Sequence, residues 1–195
     1  PEDNGGVDMG HAAAGVIAHE LGKTLAVSPF LSTAVMAATA LKQVDSTAST
    51  ERLSAIAEGR LIYALALDET SKFAPENSQL ACEKSGNGFR LNGQKSFVVD
   101  GGFADRVLVL ARSGEGPEDL TLFDLPADRA GITRNDQTMI DSRNAARLEF
   151  DNVDATGDDI IGAAGDAMTV LRPALQAGQA ALSAEMTGLA AGAAD

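Results

Sequence analysis

Residues 89–112, FRLNGQKSFVVDGGFADRVLVLAR, constrain the fold more than any other stretch of this 195-residue chain. Asn92-Gly93 is the strongest short hairpin signal in the sequence, because a tight two-residue turn needs positive φ at its central positions. It predicts two strands around a turn. The apolar run Phe97-Val98-Val99 then ends at Asp100-Gly101-Gly102, and RVLVLAR reads as a third strand. The same grammar extends from Leu61 to Val153. The runs LIYALAL, QLACEK, GFRL, QKSFVV, RVLVLAR, DLTLFDL, GITR and AARLEFDNV are short and strand-like. Gly86-Asn87-Gly88, Asn92-Gly93 and Gly114-Glu115-Gly116-Pro117 punctuate them. Many short strands at this spacing predict an antiparallel barrel or sandwich.

Helical patterns flank that region. Over residues 11–26, Ile17, Leu21 and Leu25 recur every four positions with Val16 beside them, which predicts an amphipathic helix. Ser28 and Pro29 suit the start of a second helix running to Lys42. A third spans residues 49–58, with Ala48 as its expected cap position and Gly59 as its stop. Beyond Gly165, Met168, Leu171, Leu175, Leu182, Met186 and Leu189 follow steps of about three and four residues, a bundle-type seam. Pro173 should kink this helix or delay its start. Gly178, Gly188 and Gly192 lower helix propensity but permit close helix contact. The fold class is therefore α+β, in three parts: helices over 1–60, a β domain over 61–155, and one long helix within 156–195.

The formal charge of −13 argues against nucleic-acid binding, which wants a basic stripe. An anionic ligand would need a local cationic pocket against that field. Cys82 is the single cysteine, so no intrachain disulfide forms and a reducing, cytoplasmic compartment is expected. Its strand context and the lack of a nearby His or Arg predict a buried, inert thiol. No apolar run approaches the length of about 18 residues that a membrane span needs, and no signal peptide is visible. The chain starts with Pro1, so its natural N-terminus is expected upstream. His11 and His19 lack partners at metal-ligand spacing, and Ser46 and Ser142 lack a His to activate them; no metal site and no nucleophile are predicted.

The segment around Asn92-Gly93-Gln94-Lys95, with Phe97 one residue further on, resembles the middle-domain hairpin of the flavin-dependent acyl-CoA dehydrogenases. GHAAAGVIAHELGKTLAVSPF resembles that family's helices around Glu-Leu-Gly and Pro-Phe. LEFDNV resembles its Val-x-Phe-Asp-x-Val strand, and IIGAAGDAMTVL its entry to the C-terminal helices. The order and spacing of these pieces cover nearly the whole chain. The resemblance implies N-terminal helices, a central β-barrel and the start of a C-terminal helical bundle, truncated at both ends. It implies FAD as cofactor, an acyl-CoA thioester as substrate and removal of two hydrogens across its α,β bond. It also implies homo- or hetero-oligomers assembled through the C-terminal helices.

Carried over residue by residue, the resemblance assigns Leu67, Asp68, Phe97 and Val99 to cofactor binding. No catalytic residue is assigned: the family's base belongs to helices beyond Asp195, and Glu185 reads as a solvated helix residue. The chain alone is therefore expected to be inactive. Three departures cluster at the flavin positions. Val99 stands where the family has a Thr hydroxyl, and Asp68 where it has the Thr of Thr-Glu-Pro. The Gly-Ser-Asp that follows is replaced around Phe73, Ala74 and Pro75. The Asp68 carboxylate lies either at the flavin's pyrimidine edge, or against loop amides or pointing to water. The alternative to a working dehydrogenase is a non-catalytic, flavin-poor partner subunit of a heteromeric one. The steroid side-chain branch is the type implied, on the flavour of Asp141, Arg143 and Arg147.

Overall fold

The structure is a computed structural model that describes residues 1–116, 119–141 and 143–194. Pro117 and Ser142, named above, lie outside the described residues. The chain divides into two compact units, one of residues 1–61 with 172–195 and one of residues 62–171.

The first unit is helical. Helix α1 (Gly10–Lys23) is followed by a π-type segment (Phe30–Ala37) that continues into α2 (Ala38–Leu41). Ser28 Oγ accepts from the Phe30 amide at 3.3 Å, the role expected of it. Helix α3 (Thr47–Ala57) is capped by Ser46 rather than Ala48, its side chain accepting from the Ser49 amide at 3.0 Å. A hydroxyl can satisfy an orphan amide and a methyl cannot.

Helix α4 (Ala167–Ala194) carries Pro173 inside it. Its packing differs from the predicted seam. Ala177, Ala181 and the backbone at Gly188 are buried, whereas Leu182, Met186 and Leu189 are exposed. Helix α1 does the same: Ala18 and Gly22 are buried, and Val16 and Ile17 face solvent. Small residues let the backbones of α1 and α4 approach more closely than large ones allow. A Cβ on Gly188 would lie 1.9 Å from the His19 carbonyl oxygen, and one on Gly22 only 2.0 Å from that of Glu185. Glu185 is half-buried in this contact and not a freely solvated residue.

The second unit is one seven-stranded sheet. Its strands are β1 (Tyr63–Ala66), β2 (Ala81–Ser85), β3 (Gly88–Val99), β4 (Arg106–Arg112), β5 (Leu120–Pro126), β6 (Ile132–Thr138) and β7 (Asn144–Ala155). The order is β1-β4-β2-β3-β7-β6, with β5 on the other side of β4. The sheet is mixed, not wholly antiparallel, because β1 runs parallel to β4. It is a half-barrel: β5 and β6 stand at opposite ends. Its core is built from Leu80, Leu91, Val98, Val107, Val109, Phe123, Leu125, Leu148 and Val153.

The hairpin does not turn at Asn92-Gly93. It turns at Gly86-Asn87, closed by the Ser85–Gly88 pair, with Gly86 at φ +60°. Strand β3 runs straight through Asn92-Gly93. Gly93 serves the strand instead: its φ of +139° favours glycine, and a Cβ on it would lie 3.2 Å from Leu80 Cα, a tight fit against the neighbouring backbone. The Asn92 side chain meanwhile accepts from the Asn152 amide at 2.8 Å, steadying a bulge in β7.

A Gly188→Ala substitution tests the helix contact. Alanine normally favours a helix over glycine by about 1 kcal/mol. Here the added methyl meets the His19 backbone, which cannot move aside, so the thermal midpoint should fall. Gly178→Ala meets only the flexible end of Met36 and should cost less. Midpoints by circular dichroism make the comparison.

Candidate functional site

Strands β1 and β3 bring the four positions singled out by sequence into one place. Asp68, just past the end of β1, accepts the Ser96 amide on its carbonyl at 2.7 Å. Phe97 follows Ser96 directly. The β3–β7 register shifts between Lys95 and Val98, so Ser96 and Phe97 together oppose Arg147. That is a bulge on β3. Phe97 takes φ +58°, a left-handed conformation rare for a bulky residue. Its ring is 56% exposed and Val99 is 37% exposed, while Val98 between them is buried in the core. Two apolar side chains thus stand on the sheet's outer side beside residues 67–68. Leu67 itself is buried.

Beneath this face lies a polar network whose centre is Lys95, a residue singled out by the resemblance but given no role there. Lys95 has no solvent exposure. Its Nζ donates to Leu67 O at 3.1 Å, Glu69 Oε1 at 2.8 Å and Ser78 Oγ at 2.7 Å. Three ammonium protons meet three acceptors. Glu69 also accepts the amides of Gln79 and Leu80. Ser78 Oγ lies 2.9 Å from Glu69 and 3.1 Å from Leu110 O, with one hydroxyl proton between them. The sequence carried no signal for this network: a lysine in an alternating strand reads as solvent-facing, and only the fold brings residues 67, 69 and 78 to it.

Desolvation pulls the Lys95 ammonium below its ordinary range, and Glu69 and Asp68 hold it up against that. For Glu69, burial works against the anion, but the Lys95 bond and charge and the two amides outweigh it, so its carboxyl titrates below the usual range. Asp68 goes the other way. Burial raises it, and the Lys95 charge and the Ala74 amide compensate only in part. Its Oδ1 is sealed from solvent without a hydrogen-bond partner. Phe73, next to Ala74, is exposed. Leu67 O and Asp68 O are both committed to β3.

Other candidates fall away from it. Cys82 is buried in β2, and burial pushes its thiol up to about 11. Arg143 pairs with Asp141, and Arg147 with Glu149 and the Gln94 side chain. His19 meets Glu20. No cluster of metal-ligating side chains occurs among the described residues, and no described helix is long and apolar enough to cross a membrane. An open depression of about 690 Å³, lined by Glu76, Gln79, Cys82, Glu83 and Arg112 among others, contains none of the four predicted positions. The Arg112 guanidinium is occupied by the carbonyls of Ser78, Gly116 and Glu76.

Residues 68–153 match the sequence model of the acyl-CoA dehydrogenase middle domain. An acyl-CoA dehydrogenase, AFT10-1 of Alternaria alternata, is 34% identical over 83 residues, which is 41% of this chain and 19% of the relative. A probable medium-chain specific acyl-CoA dehydrogenase of Caenorhabditis briggsae is 29% identical over 150 residues, 67% of this chain and 36% of its own. The solved butyryl-CoA dehydrogenase of Megasphaera elsdenii superposes with a TM-score of 0.88 at 24% identity, over 99% of this chain and 54% of that one. A chain with helices on either side of such a half-barrel has the acyl-CoA dehydrogenase fold. Residues 68–153 are thus similar to the middle domain of acyl-CoA dehydrogenases, the chain shares their fold, and it spans about half the length of the solved relative it matches.

Two expectations follow. Asp68 has a folded-state pKa raised above its unfolded value, so its ionisation penalises the fold. That penalty grows as pH rises from the unfolded value through the raised one and is complete above it. Asp68→Asn should therefore raise the thermal midpoint at pH 7, with a gain that shrinks on acidification. Glu69, with its depressed value, stabilises above its unfolded pKa and loses that contribution as pH falls through the folded one. Glu69→Gln should lower the midpoint at pH 7. Midpoints of the wild type and both variants across an acid-to-neutral series check the signs. Cys82, in turn, should resist iodoacetamide at pH 8 in the folded protein and react once urea unfolds it, as intact mass will report.

Proposed function

We propose that this chain carries the flavin-facing part of an FAD-dependent acyl-CoA dehydrogenase acting on an acyl-CoA thioester. The observation that carries the reading is the exposed Phe97 residue, on a bulge at positive φ next to Ser96, whose amide donates to Asp68 O at 2.7 Å. A non-glycine residue in that conformation costs about 1–2 kcal/mol relative to the extended one. Strain of this size persists where the surroundings over-determine it, and it clusters at functional sites.

The residues present fit a planar, largely apolar ring in one respect and depart in another. Phe97 and Val99 supply an aromatic edge or face and an aliphatic contact. Val99 supplies no hydroxyl donor, and Asp68 brings a half-buried carboxylate with an unpartnered oxygen where the family has a threonine. When bound, FAD would accept the hydride equivalent from the substrate's β carbon. Phe97, Val99 and the Leu67–Asp68 backbone, tied to β3, would hold it. Association belongs to the same proposal: the exposed Leu182, Met186 and Leu189 on α4 form an apolar stripe suited to packing against further helices.

The test is FAD titration of the purified chain by quenching of flavin fluorescence. Binding should be weak, since one missing hydrogen bond is worth about 0.5–1.5 kcal/mol, up to about tenfold in affinity. Val99→Thr should tighten binding by up to that factor. Phe97→Ala should weaken it severalfold, because an aromatic pair contributes about 0.5–1.5 kcal/mol beyond its buried area. If the wild type shows no binding and Val99→Thr, Asp68→Thr restores it, the flavin-poor partner subunit replaces this reading. If neither chain binds, or Phe97→Ala changes nothing, the flavin assignment at this face is wrong.

A further inference from the structure

We propose that Lys95 is a positioning residue whose buried ammonium holds the Phe97 bulge in its left-handed conformation. The proposal concerns the free protein, and it deepens the flavin-face reading without depending on it.

The bulge is pinned on both flanks. On the far side, Val98 and Val99 pair with Ala146 and Ala145 of β7, and the Asp100 amide donates to Asn144 O at 2.9 Å. On the near side, the last paired residue before the register shift is Lys95, opposite Leu148. Its side chain reaches across to Leu67 O, Glu69 and Ser78. The adjacent Ser96 amide reaches Asp68 O. Two successive carbonyls at the end of β1 are therefore held by two successive residues of β3. Glu69 and Ser78 are in turn fixed by the amides of residues 79–80 and by Leu110 O on β4. One ammonium thus joins the end of β1, the approach to β2, and β3 at the point where β3 leaves register.

A left-handed bulky residue relaxes to extended backbone unless both neighbours are fixed. Releasing the near flank leaves the extended conformer favoured, and the left-handed population should drop by about tenfold. A network that only stabilised the sheet would lower the melting temperature and leave Phe97 unchanged in whatever protein remained folded.

The experiment compares the full chain with the Lys95→Met, Glu69→Gln double variant. The double variant removes both buried charges together, which avoids leaving one unpaired. The first readout is the pair of Cα and Cβ carbon chemical shifts of Phe97 without ligand, which report the sign of φ. The expected result is left-handed shifts in the wild type and extended shifts in the folded variant, with Ala146 and Leu148 unchanged. Left-handed shifts in the folded double variant overturn the proposal. If the double variant does not fold, Ser78→Ala decides. It removes one of the three ammonium acceptors, and it should move the Phe97 shifts part of the way; unmoved shifts overturn the proposal. FAD titration of the same proteins separates the two readings. A wild type that binds no FAD but shows the Lys95-dependent shift defeats the flavin assignment and leaves the positioning role standing. FAD affinity lost about tenfold along with the shift supports both.

Discussion

The buried Lys95 ammonium organises the β unit more than any other single group. A charge with no solvent exposure is tolerated only with its protons satisfied and a counter-ion at hand. Leu67 O, Glu69 and Ser78 meet those conditions. Meeting them fixes where the chain goes: β1 must end beside β3, residue 69 must turn inward, and residues 78–80 must present their amides to Glu69. The network is therefore weak evidence of net stability. Its removal as a whole is a milder event than the removal of one partner.

Asp68 and Glu69 show how one buried cation divides its effect between two adjacent carboxylates. Glu69 holds the ammonium and two amides and stays ionised. Asp68 feels the same cation only through space, has one amide and an unpartnered oxygen, and is pushed toward its neutral form. A threonine at 68 would carry no such penalty.

The helical unit follows a different rule. Its closest contacts run between backbones, through Gly22, Gly188 and Gly192, with Ala18, Ala177 and Ala181 filling the space around them. Dispersion between closely packed backbones replaces the usual interdigitation of large side chains. Val16, Ile17, Leu182, Met186 and Leu189 are consequently left outside, whereas Leu171 of the predicted seam is buried. Periodicity identified both helices correctly, but it assigned the buried face to Leu182, Met186 and Leu189 because hydrophobicity scales weigh side-chain size. Small residues that permit approach carry little hydrophobic signal of their own.

The order of elements, the extents of strands such as β4 and the inertness of Cys82 were legible in the sequence, because local pattern and turn chemistry determine them. So was the resemblance that grouped Leu67, Asp68, Phe97 and Val99. The sequence could not say which glycine made the turn. Gly86 and Gly93 both follow or precede an asparagine, and only the approach of Leu80 shows that Gly93 serves close packing inside a strand. It could not say that Phe97 would be left-handed, since that follows from a register shift against β7, a strand nearly fifty residues away. Nor could it turn Lys95 inward. A lysine in an alternating strand reads as solvent-facing by composition. What buries it is the simultaneous arrival of three acceptors from residues 67, 69 and 78, a coincidence that exists only once the strands have come together.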